Sequence, residues 1–153
     1  MENYTKNGRK KVNLERSLNK PKVWKSSLKY ISGPFTQGDN QENISRAIMV
    51  GEFYYLQGYP IHIPHLNCRW EADYPKPYDD MMHIDLQIIQ RMRHTDELIA
   101  LPGCSPGRDR EIECAMSHMV DVKIMTVVDC EEIEEALGED FPYLPRGQAN
   151  LMS

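Results

Sequence analysis

The sequence predicts an α/β fold, a doubly wound parallel sheet of the Rossmann-like or flavodoxin-like kind, with about four to five strands flanked by helices. Three observations lead there. Short runs rich in β-branched and aromatic residues alternate with longer stretches whose apolar residues recur at helical spacing. Most of the strand-like runs end in a turn containing glycine or proline. The length, 153 residues, suffices for one hydrophobic core and is short for two. Strands alternating with helices imply parallel pairing and right-handed crossovers.

The first strand is read over residues 28–32, where Gly33-Pro34 stops it because proline has no N–H to give to a ladder. Residues 35–41 form a loop rich in Gly, Thr, Gln, Asp and Asn, a plausible cradle for phosphate or sugar. Ile44, Ala47, Ile48, Val50 and Tyr54 predict a helix over 42–57, with Gly58 as its stop. A second strand over 59–63 ends at Pro64, and the aperiodic, aromatic stretch 65–77 reads as a long loop. A helix over 78–93 carries Asp85, with Met81, Met82 and Met92 as core filler. A third strand at 97–101, a turn-rich loop at 102–109, a helix over 111–119, a β-branched strand at 122–128 and a short helix at 131–137 complete the body.

Charge divides the chain more sharply than its net value of -5 suggests. Residues 1–27 hold eight Lys or Arg against two acids, whereas the remainder holds ten against twenty-one. So acidic a body excludes broad binding of nucleic acid. The basic N-terminal extension, 1–27, has the charge to touch nucleic acid but nothing else in its sequence supports that role, and a solvated, partly disordered arm is the plainer reading. The α/β domain spans 28–137, and 138–153 reads as an irregular tail. No membrane span and no secretory signal are apparent, so a cytoplasmic location is expected. Cys68, Cys104, Cys114 and Cys130 are scattered and read as reduced thiols; His62, His65 and Cys68 lack a fourth partner at a recognised spacing, so neither a metal nor an organic cofactor is expected.

In open parallel sheets, sites lie beyond the carboxyl ends of the strands. The loops after Ile31, Ile63 and Leu101 share that edge, which gathers Tyr30 with the loop from Gly33, Asp85, and Glu111. Two carboxylates suggest glycosyl chemistry by double displacement, one attacking the anomeric carbon and an acid protonating the leaving group. Glu111, read at the first turn of its helix, is expected to be ionised under the helix dipole and partly exposed at a cleft. Each residue also has a plainer reading: Glu111 as a capping or dipole residue, Asp85 as solvent-facing, Tyr30 as core packing. His65 stands at the same edge. Trp70, Tyr74 and Tyr78 would either wall a base or anchor the long loop.

Three segments, taken together and in order, resemble a known family. They are Tyr30-Ile31-Ser32-Gly33-Pro34-Phe35-Thr36, the pair Asp85-Leu86, and Ser105-Pro106-Gly107-Arg108-Asp109-Arg110-Glu111 with Ala115 one turn on. Over about residues 28–137 the chain resembles the nucleoside deoxyribosyltransferases and their relatives that hydrolyse deoxynucleoside 5'-monophosphates, and its wording is nearest to the small bacterial and phage members. The resemblance implies that Glu111 attacks C1', Asp85 assists departure of the base, and Tyr30 orients the nucleophile or sugar. It implies a substrate site at Gly33, Pro34, Phe35, Thr36, His65, Ser105 and Gly107, no cofactor, and a homodimer or higher homo-oligomer. Where the monophosphate hydrolases often carry an arginine after the opening loop, this chain has Thr36 and Gln37; Arg108 and Arg110 would supply that charge or would simply be solvated. Hydrolysis of a nucleoside or nucleotide, exchange of one base for another, and a nucleotide-binding regulator without turnover all remain open at this point.

Overall fold

The computed structural model describes residues 3–12, 14, 21–35 and 40–138. Four strands, β1 (Lys29–Ser32), β2 (Ile61–His62), β3 (Glu97–Ala100) and β4 (Asp121–Ile124), pair in parallel in the order β2-β1-β3-β4. The helices are α1 (Asn40–Leu56), α2 (Cys68–Asp73), α3 (Tyr78–Gln90), α4 (Pro106–Ser117) and α5 (Val127–Leu137), with a 3-10 turn, Pro64–Asn67, leading into α2. The chain winds outward from β1 in both directions, so the strand order reverses between β1 and β3. That reversal opens a crevice at the carboxyl ends of these two strands.

Alternation along the strands sorts their side chains into two cores. Ile31, Ile99 and Leu101 pack with Ala47, Val50 and Tyr54 of α1 and Ile133 and Leu137 of α5 on one face. Tyr30, Leu98 and Ala100 pack with Ile89 of α3 and Ala115 of α4 on the other. Both faces are covered, as the doubly wound reading requires. Each fully buried Ile or Leu contributes about 1.5–3 kcal/mol by leaving water. Met92 joins the second core as expected, whereas Met81 and Met82, though buried, are not core filler: they line the pocket at the crevice.

Several boundaries differ from the sequence reading, each for a local reason. Residues 68–73 form α2 rather than loop, a helix too short to display a period. Helix α4 begins at Pro106, not at 111, because Ser105 caps it and Pro106 fills the first position, where its missing N–H costs nothing. The β-branched run 122–128 divides: the strand ends at Ile124, and Thr126 starts α5 through a capping box with Asp129. β2 is confined to two residues, although the carbonyl of Pro60 still accepts from the Lys29 N–H at 2.9 Å.

The described part of the basic arm runs over the body: Arg9 pairs with Asp129, Lys11 approaches Glu135 at 4.0 Å, and Lys22 donates to the Tyr55 carbonyl at 3.0 Å. The tail, from residue 139 on, lies outside the described residues.

Asp96 joins the entrances of β1 and β3. Buried just ahead of β3, it accepts from the Leu28 N–H at 2.8 Å and the Arg93 N–H at 2.7 Å. Asp96→Ala would leave both donors without their carboxylate, at a cost of about 2–4 kcal/mol, and Asp96→Asn, which keeps one acceptor, about half that. Urea unfolding should report this as lowered midpoints in that order; an unchanged midpoint in the alanine variant would mean that water replaces the carboxylate freely.

Candidate active site

Side chains two apart on a strand share a face, so Tyr30 and Ser32 both project toward the helices that cover the second core. Above them runs α4, whose buried positions Glu111 and Ala115 lie one turn apart. The small side chain at 115 lets the helix approach the sheet closely enough for Glu111 to reach β1. The Tyr30 hydroxyl donates to Glu111 Oε2, and the Ser32 hydroxyl donates to Oε1 at 3.2 Å.

Two expectations for Glu111 are overturned. It is buried, with 5% of its surface exposed, and it sits in the second turn of α4, where the helix dipole has largely faded. Burial pushes its carboxyl up to about 8, the nearby Asp85 charge adding to the rise and the hydrogen bonds from Tyr30 and Ser32 opposing it. The protonated form therefore predominates at neutral pH. Burial, then the Glu111 charge, also raises the Tyr30 phenol well above its usual range, so Tyr30 stays a donor.

Asp85, half-buried on α3, lines the same pocket. Its Oδ1 is buried with no hydrogen-bond partner among the described residues. Burial first and the Glu71 charge second raise this carboxyl to about 6. Asp85 and Glu111 thus hold protons of unlike affinity in one cavity, the arrangement that acid–base chemistry needs near neutral pH.

The pocket encloses about 250 Å³ at the β1/β3 crevice. Its walls come from Gly33 and Phe35 after β1, His65 and Glu71 of the 3-10 turn and α2, Tyr78 and Met82 of α3, and the start of α4. The Nε2 of His65 lies 3.0 Å from the Pro34 carbonyl. A carbonyl only accepts, so Nε2 carries the proton, and burial lowers the ring's proton affinity, leaving Nδ1 a neutral acceptor. That Nδ1 has no partner among the described residues.

The expected site residues fall into three groups. Tyr30, Asp85 and Glu111 come together, as do Gly33, Phe35, His65, Ser105, Gly107 and Arg108 around the pocket. Pro34 contributes its carbonyl to His65 rather than pocket surface. Arg110 is half-exposed, approaches Asp79 at 3.7 Å and does not line the pocket, and Thr36 lies outside the described residues. Of the three aromatics, Tyr78 alone reaches the pocket; Trp70 is exposed beneath Lys76, whose Nζ sits 4.2 Å from its ring, and Tyr74 is exposed beside them.

Ser32 and Glu71 are among the contributors that escaped the sequence reading. Ser32 was signalled by its position two residues from Tyr30, while Glu71 was hidden in a helix too short to recognise. Among the described residues no three His, Cys, Asp or Glu side chains are grouped to hold a metal ion.

Because Glu111 binds its proton more tightly folded than unfolded, its contribution to stability is fully present below the unfolded carboxyl's titration and is lost as pH rises through about 8. Glu111→Gln keeps the shape without the titration. Thermal melts should show the variant gaining on the parent by about 2–4 kcal/mol between pH 5 and pH 9; a difference independent of pH would mean that Glu111 titrates normally.

A scan of the chain against protein-family models and searches of curated proteins and of solved structures return no match.

Proposed function

We propose that the protein is an N-glycosidase, cleaving the base–sugar bond of a (deoxy)nucleoside or its 5'-monophosphate through a covalent glycosyl–enzyme intermediate, as its resemblance to the nucleoside deoxyribosyltransferases implies. One observation carries the reading: a carboxyl group held by two hydroxyl donors beside a pocket that a second carboxyl, titrating near 6, also lines. Double displacement at an anomeric carbon requires one carboxylate to attack and one acid to donate.

In the first step an ionised Glu111 oxygen bonds to C1' while the C1'–N bond breaks, and the departing base takes the Asp85 proton. In the second, water attacks C1' and gives a proton to the Asp85 carboxylate, and the ester bond returns its electrons to Glu111. Tyr30 and Ser32 hold the Glu111 carboxylate in place and carry part of its negative charge in both steps. The sugar becomes cationic in the transition state, which suits a cavity lined by carboxylates.

The reactive form has Asp85 protonated and Glu111 ionised. Below about pH 6 both carboxyls hold protons and no nucleophile remains; above about pH 8 both are ionised and no acid remains. A bell-shaped kcat/KM with limbs near those values follows, the pair titrating as a unit. The Asp85→Asn variant should lose about 10²–10⁴-fold in rate together with the alkaline limb.

The test is chromatographic detection of free base from purified protein given deoxynucleosides and their 5'-monophosphates, with and without an acceptor base. Base release without acceptor is expected, falling by about 10³-fold or more in Glu111→Gln. Turnover only when an acceptor is present would assign base exchange instead. Binding without turnover across the panel would sink the enzymatic reading.

A further inference from the structure

The charges around the pocket bear on whether a substrate can carry a 5'-phosphate. Among the described residues three acidic side chains line it, Glu71, Asp85 and Glu111, and one cation, Arg108. That guanidinium is held within the protein by two of its five N–H donors, its Nε donating to the Leu101 carbonyl at 2.7 Å and its Nη1 pairing with Asp109 at 3.3 Å. Lys76 acts on Glu71 from nearby, but it donates to the Tyr74 carbonyl at 2.7 Å, sits over the Trp70 ring and does not line the pocket.

The start of α4 is the other place where an anion would settle, since free N–H groups and the helix dipole favour negative charge there. Here the start of α4 lines the pocket, but one of its donors is already taken and side chains crowd Gly107. The Ser105 side chain takes the Arg108 N–H, and a Cβ built on Gly107 would meet the Tyr78 hydroxyl and the Met82 methyl at 3.0 Å each. Among the described residues, the buried polar atoms of the pocket wall that lack partners are acceptors, Asp85 Oδ1 and His65 Nδ1. They match a ligand presenting hydroxyl or amino donors, and they oppose a phosphate, which at neutral pH offers acceptors and up to two negative charges.

We infer that this pocket takes the uncharged nucleoside and discriminates against its 5'-monophosphate, a specificity that rests on the glycosidase reading and narrows it to one substrate class. Glu71 adds to the discrimination without touching the reacting bonds, because its charge stands in the pocket wall on α2, apart from Asp85 and Glu111.

The test compares kcat/KM for each of the four 2'-deoxynucleosides with that for its 5'-monophosphate, in the parent protein and in Glu71→Gln. Calorimetric titration of the same ligands into Glu111→Gln reads binding apart from turnover. A nucleoside preference of about 100-fold is expected. It should narrow about tenfold in Glu71→Gln, chiefly through a lower KM for the monophosphate, because removing a like charge favours the anion more than the neutral ligand. Equal or better use and binding of the monophosphate would overturn the inference while Glu111-dependent base release upheld the glycosidase reading. Tighter nucleoside binding with no base release from either ligand would sink the glycosidase reading and leave the pocket's selectivity standing. Failure of both ligands to bind would overturn the inference.

Discussion

A carboxyl group can be buried between a helix and a sheet only where donors reach it, and the placement of Glu111 against Tyr30 and Ser32 is the contact on which the site depends. Much of the local architecture follows from it. β1 must present two hydroxyls on the face that α4 covers, which its alternation does. α4 must lie close to the sheet, which Ala115 permits, and must be in the right rotational register, which the Ser105 cap and Pro106 establish five residues upstream. The Tyr30 ring also fills the second core, so one side chain serves packing and polar satisfaction together.

Burial then differentiates the carboxyls. Glu111 is the more deeply buried and holds its proton the more tightly; Asp85, half-buried and facing the Glu71 charge, holds its own less tightly. The form with the proton on Glu111 is thus the resting one, and the reactive form, with the proton on Asp85, is the minor partner. An approaching cationic sugar shifts that balance toward ionised Glu111, because it interacts with the carboxylate and not with the acid. The acidic lining that makes the resting site reluctant to ionise is the same feature that favours a cationic transition state.

Much of this was legible in the sequence, and the exceptions have physical causes. The β/α alternation gave the order of elements and the Gly33-Pro34 stop placed the end of β1, though not the end of β4, and the conjunction of Tyr30, Asp85 and Glu111 followed from where parallel strands end. Helix α2 was not legible because six residues hold fewer than two turns, so Glu71 passed for loop. The cap at Ser105-Pro106 was present in the sequence, but the glycine that follows argued for a turn. Thr126 was masked by the valines after it, whose β-branched side chains suit a strand as well as the first turn of α5. The burial of Glu111 could not be read at all, since a charged residue on a helix gives no sign of which neighbours supply its donors.

The most direct measurement is the mass of the protein quenched in acid during turnover, with peptide mapping of any increment. Acid preserves a glycosyl ester long enough to locate it. An increment equal to the sugar, confined to the peptide carrying Glu111 and absent from Glu111→Gln, is the expected result. Base release with no adduct, or an adduct on another side chain, would contradict the assignment of Glu111 as the nucleophile.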